Sequence, residues 1–186
     1  MNSKLLMLLA AVLLTVGATN VYAQERSGDA INGQVTLNIK LSQIQSLVVN
    51  HGNVDLHYTT KEHYTQGVSE IKADHLTVFS TGGFKVMAST STDLINGDNS
   101  IESSDIKLVA SVGSENTLDE GVAKTIESLT SGAVNNALIE STIGGRDLKF
   151  SVEYAAKGND KYINKYVKGE NPTVYTTTVT YTITAQ

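Results

Sequence analysis

The stretch Thr173–Gln186, TVYTTTVTYTITAQ, decides the fold class. Tyr175, Val179, Tyr181 and Ile183 fall on one side of a two-residue repeat, with Thr177 among them. Val174, Thr176, Thr178, Thr180 and Thr182 fall on the other. Such alternation, in residues branched at Cβ, is the pattern of a half-buried strand; a helical period of 3.6 would mix the two sets. One face is apolar and one is rich in hydroxyls, as a strand on the side of a sandwich requires.

Upstream of it, Lys157–Pro172 is a polar, glycine-containing loop, and the sole proline stands just ahead of the final strand, where a missing N–H costs least. Leu148, Phe150, Val152 and Tyr154 predict a strand after the turn Ile143–Asp147, and Ile106, Leu108, Ala110 and Val112 predict another. Gly113–Asp147 supports two readings. Thr117 and Glu120 fit a capping box, with Leu118, Val122, Ile126 and Leu129 on one helical face; two short strands broken at Ser131-Gly132 fit as well. Ser89–Ser104, with Asn96-Gly97-Asp98-Asn99, is expected as a surface loop.

Leu76, Val78 and Phe79, then Thr81-Gly82-Gly83, then Phe84, Val86 and Met87 predict a hairpin in which the glycines supply positive φ. Apolar residues on both faces place these two strands centrally. Thr59–Lys72 is expected to be a long loop or to carry a short helical turn. Ile44–Val49 and Val54, Leu56 and Tyr58 predict a hairpin around His51-Gly52-Asn53. Finally Val35, Leu37, Ile39 and Leu41 alternate with Thr36, Asn38 and Lys40, predicting a half-buried strand. The whole predicts an all-β, antiparallel, immunoglobulin-like sandwich of about seven to nine strands, with at most one or two short helices.

The N-terminus fits an export signal over residues 1–23: Lys4, an apolar run Leu5–Val16, and Val21-Tyr22-Ala23 before the cut. The apolar run is about a dozen residues, short of the roughly 20 that span a bilayer. Residues 24–33 are expected as a mobile leader and 34–186 as a single domain. Removing 23 of the 186 residues leaves 163 with 13 basic and 19 acidic side chains, a net charge of −6. That acidity, without a basic cluster, argues against nucleic acid as a partner. The absence of cysteine rules out disulfides and thiolate metal sites and favours a bacterial source. The expected location is exported: periplasmic, cell-surface or extracellular.

His51, His57, His63 and His75 lie within 25 residues, with Asp55, Glu62 and Asp74 among them. Imidazoles are good metal ligands, but Asp55 and His57 alternate with Val54, Leu56 and Tyr58, and the spacing matches no tight ligand motif, so no metal or other cofactor is expected. Asp93, Asn96, Asp98 and Asn99 lack the order and closing glutamate of a calcium loop. No Gly-x-Ser-x-Gly elbow and no recognisable acid, base and nucleophile set occurs, which argues for a non-enzymatic protein. Ligand contacts are sought at His51, His57, His63 and at Tyr162 and Tyr166, whose loop carries Lys161, Lys165 and Lys168. An eight-stranded outer-membrane barrel is disfavoured by the absence of tryptophan, by 6% aromatic residues and by the terminal Gln186.

The export signal, His75–Ala88 (HLTVFSTGGFKVMA), Leu148–Tyr154 (LKFSVEY) and Tyr175–Ala185 (YTTTVTYTITA) together resemble small exported β-sandwich subunits of bacterial surface structures, of the spore coat protein U-like and fimbrial types. The resemblance implies an immunoglobulin-like fold, no catalytic residues, and assembly with copies of itself or other surface proteins by strand addition. On this chain the implied assembly residues are Val35, Leu37, Ile39 and Leu41, and Val179, Tyr181 and Ile183 of the last strand. A soluble secreted module binding carbohydrate or metal is the alternative function.

Overall fold

The computed structural model describes residues 33–132 and 137–186. The expected signal, 1–23, and residues 24–32 of the leader lie outside the described residues. The chain divides into two units, Met1–Lys40 and Leu41–Gln186. In the first, residues 33–40 carry no strand or helix, and Val35, Leu37 and Ile39 are 91%, 84% and 79% exposed. Leu41, which opens the second unit, is 90% exposed and also outside any strand. The expected half-buried strand is therefore not formed. Alternation prepares two faces, but a strand is held by the ladder of a neighbour, and among the described residues this segment has none.

Leu41–Gln186 is all-β, with every named strand pair antiparallel. Its strands are β1 (Gln45–Val49), β2 (Val68–Ser80), β3 (Phe84–Thr90), β4 (Leu94–Asn96), β5 (Asn99–Ile101), β6 (Ile106–Val112), β7 (Thr125–Ile126), β8 (Ala137–Ser141), β9 (Gly145–Ala156) and β10 (Val179–Ala185). Ten strands exceed the expected seven to nine because β4, β5 and β7 are pieces of three residues or fewer. A five-stranded sheet runs β1-β2-β9-β6-β7, a three-stranded sheet runs β10-β3-β8, and β4 with β5 makes a separate hairpin inside the expected surface loop.

The two larger sheets bury their facing sides against each other. Leu76 and Val78 of β2, Leu108 of β6 and Phe150 and Val152 of β9 meet Phe84 and Val86 of β3 and Leu138 and Ile139 of β8, all fully buried. Phe84 and Phe150 touch edge to face, with ring centres 6.5 Å apart. Each such side chain contributes about 1.5–3 kcal/mol on burial. On one flank the sheets are stitched together, the Lys124 N–H donating to the Leu138 carbonyl at 2.9 Å. On the other, β1 and β10 are the terminal strands.

Three local expectations are corrected. β2 and β3 are not a hairpin: each is central, as expected, but in a different sheet. Gly82 and Gly83 do not have positive φ. The chain turns a corner there, beside a second corner from β8 to β9. A side chain on Gly83 would crowd the Thr142 carbonyl, and one on Gly144 would overlap the Ser80 carbonyl. Both corners use a buried serine, Ser80 donating to the Gly82 carbonyl and Ser141 to the Ile143 carbonyl, each at 2.7 Å. The repeated wording, Ser80-Thr81-Gly82-Gly83 and Ser141-Thr142-Ile143-Gly144-Gly145, was the available signal.

Second, Val54, Leu56 and Tyr58 alternate half-buried against the core with exposed neighbours, yet this stretch is not a strand and β1 pairs with β2 instead. Third, the last strand begins at Val179; before it, Thr176 makes an isolated bridge to Ile95. Of the two readings of Gly113–Asp147, short strands prevail: a single 3-10 turn at Glu120–Val122, then β7 and β8. The short helical turn does form, as α1 (Lys61–Gln66), with the Thr60 hydroxyl accepting from the His63 N–H and Gly67 at φ 92° closing it.

Candidate functional site

The four histidines do not converge. His57 is exposed on the outer side of its segment, and His63 sits in α1, where its Nδ1 accepts from the Thr59 N–H at 3.1 Å. Only His51 and His75 meet, their rings stacked with centres 5.5 Å apart and Nδ1 atoms at 3.3 Å. Among the described residues no group of three or more histidine or carboxylate side chains is arranged to hold a metal ion.

His75 is 1% exposed. The register between β2 and β9 shifts between Lys72 and Leu76, with Asp74 at φ 49°, and this irregularity turns His75 into the core beside Leu76. Its Nε2 lies 2.7 Å from the Tyr154 hydroxyl, which is in turn hydrogen-bonded to the Tyr181 hydroxyl of the opposite sheet. Burial, then the neighbouring His51 and Lys72, push the imidazole down to about 4, so it is neutral at pH 7. Burial pushes both phenols up, and Tyr181 is raised further by Tyr154. This chain of hydrogen-bonded rings, with His75 and Tyr154 buried and Tyr181 half-buried, joins the two sheets.

A second buried group is Asp105, 2% exposed, which ends the 3-10 turn Ser103–Asp105 immediately before β6. It accepts from Lys157 at 3.1 Å, Lys161 at 2.5 Å and the Tyr162 hydroxyl at 3.3 Å. Burial works to raise its carboxyl, but the hydrogen bonds and charges of the two lysines outweigh it and hold the group below the usual range. Nearby, burial and then the Asp105 charge push the Tyr58 phenol up to about 12. Asp105 thereby anchors the beginning of the long loop between β9 and β10.

That loop and α1 enclose an open groove of about 730 Å³, lined by Lys61, Tyr64, Thr65, Asp160, Tyr162, Ile163, Asn164 and Tyr166. The two sides are locked together: the Asn159 and Asp160 N–H groups donate to the Thr65 and Tyr64 carbonyls, both at 2.8 Å. Asn159 and Asp160 take φ of 55° and 57° to do so. Of the two tyrosines expected as ligand contacts, Tyr166 is 63% exposed, while Tyr162 is buried and forms the floor. The Tyr166 hydroxyl donates to the Glu170 carbonyl at 2.6 Å and the Tyr175 hydroxyl to the Lys165 carbonyl at 2.7 Å, which fixes a loop that has no regular structure. Tyr64 is among the tyrosines that offer a stacking surface, but its meeting with Asp160 and Asn164 joins residues nearly a hundred positions apart and has no local signal.

The remaining expected site residues are those of assembly. Val179, Tyr181 and Ile183 are half-buried on the inner face of β10, with Thr180, Thr182 and Thr184 exposed outside. β10 pairs with β3 alone, and β1 with β2 alone, so each has an open edge among the described residues. Among the described residues no helix is long and apolar enough to cross a membrane. No protein-family model and no curated protein matches this sequence.

Proposed function

We propose that this protein is an exported, non-enzymatic structural or adhesive subunit of a bacterial surface or extracellular assembly, joined to further copies of itself by strand addition. The observation that carries the reading is the segment Val35–Leu41. Its apolar residues Val35, Leu37, Ile39 and Leu41 are 91%, 84%, 79% and 90% exposed, in a sequence patterned to be a strand with one buried face. A row of exposed, alternating apolar side chains with unpaired backbone is stabilised by a sheet edge that supplies both a ladder and an apolar surface. β1 and β10 lie beside each other on one flank and neither has a second ladder partner among the described residues, and Val54, Leu56 and Tyr58 add a half-buried stretch outside any ladder.

The test is light scattering during size-exclusion chromatography of the protein across a range of concentrations. Assembly predicts oligomers that grow with concentration and disappear in Leu37→Asp with Ile39→Asp, substitutions at exposed positions that leave the fold of 41–186 intact. A strict monomer at every concentration sinks the reading.

A further inference from the structure

We propose that the groove between α1 and the β9–β10 loop is a binding site for a neutral carbohydrate, separate from the strand edges used in assembly. Its volume, about 730 Å³, lies in the range of small-molecule sites. Its lining mixes two kinds of surface. Tyr64, whose ring packs on Tyr58, and the exposed Tyr166 bring aromatic surface, and Ile163, 52% exposed, adds an apolar patch. Lys61, Thr65, Asp160 and Asn164 bring an ammonium, a hydroxyl, a carboxylate and an amide, so donors and acceptors are both present.

Those features select the ligand class. One positive and one negative side chain cancel, which gives no net pull on a phosphate or a cation. The groove is open and half polar, which does not suit a wholly apolar ligand. A pyranose has a C–H face to lay against tyrosine and a rim of hydroxyls that both donate and accept hydrogen bonds, and the lining matches it on both counts.

The loop is also held rigidly, with Tyr162 packed into the core against Tyr58. Long loops without regular structure are uncommon in small domains unless they serve a function. This one is held by Asp105 on Lys157, Lys161 and Tyr162, and by tyrosine hydroxyls on backbone carbonyls. The Tyr166 ring is thereby presented to solvent in a fixed orientation, so little conformational freedom is lost when a ligand stacks on it.

Saturation-transfer NMR on the full chain with glucose, galactose, mannose and N-acetylglucosamine tests the assignment, with inorganic phosphate as the contrasting probe. The expected result is transfer to at least one sugar. Tyr166→Ala should weaken that binding roughly tenfold, the scale of one lost aromatic contact. Tyr166→Phe, which keeps the ring, should retain most of it, and Asn164→Ala, at an exposed position with little bearing on folding, should weaken it several-fold. Transfer to none of the four sugars overturns the proposal. So does binding of phosphate in their place, or sugar binding that is the same in Tyr166→Ala and Asn164→Ala as in the parent chain.

Discussion

The backbone at Asp74, with φ 49°, turns His75 from the outer side of β2 into the space between the sheets. The parity set by Leu76, Val78 and Ser80 assigns His75 to the opposite face, so no reading of alternation finds it; the structure needed a bulge to put it there. The consequence is a pH dependence of defined sign. An unfolded imidazole takes a proton below about 6.5, whereas folded His75 resists protonation down to about 4. Stability is therefore full above pH 6.5 and is lost as the pH falls toward 4, by up to about 3 kcal/mol. Urea titrations across that range should show the decline in the parent chain and a clearly shallower one in His75→Leu, where only the carboxylates held low, such as Glu140, still contribute; an unchanged slope in the variant would assign the effect elsewhere. Asp74 and Asp105, both held low by their partners, lose their contributions only at more acidic pH. The corner glycines give a second residue-level prediction. Gly144→Ala forces a methyl onto the Ser80 carbonyl and should cost about 2 kcal/mol or more, while Gly82→Ala meets nothing within 4 Å and should melt within a degree or two of the parent.

Among the elements, those with uninterrupted alternation were legible, and the connections between them were not. β6, β9 and β10 follow from Ile106–Val112, Leu148–Tyr154 and Val179–Ile183, because burial of every second side chain is written in the local order of residues. The Ser80–Gly83 corner has the local pattern of a hairpin turn, a short glycine-containing link between two apolar runs. Whether the two runs pair or separate into facing sheets depends on β1, β9, β8 and β10 competing for their edges. The loop from Lys157 onward depends likewise on Asp105, fifty residues earlier. Removing that carboxylate leaves two lysines whose side chains are 48% and 41% exposed and can turn to water. Asp105→Ala is therefore expected to cost only about 1–3 kcal/mol, and hydrogen exchange should speed up selectively in residues 157–172. Uniform acceleration across all strands would instead make Asp105 a global determinant.

For the whole molecule, the division at Lys40 has a thermodynamic counterpart. Residues 34–40 are exposed and have no ladder among the described residues, so deleting them should leave the melting temperature of 41–186 unchanged while abolishing concentration-dependent assembly. A large drop in melting temperature would mean that this segment completes the fold of its own chain. Of the candidate site, Tyr162 and Tyr166 are legible in the sequence as lysine-flanked tyrosines in a polar loop. The structure keeps Tyr166 as an exposed face, makes Tyr162 the floor, adds Asp160 and Asn164 from the same loop and brings Tyr64 from the α1 wall. The sequence by itself determined the all-β class, the principal strands and the inward and outward side of most residues in them, because a period of two is a local property. Only the tertiary structure decided that β2 joins β9 rather than β3, that His75 faces inward and that α1 meets the β9–β10 loop. Each of these closes a long stretch of chain, and the entropy of closure is repaid by packing between residues that no local pattern connects.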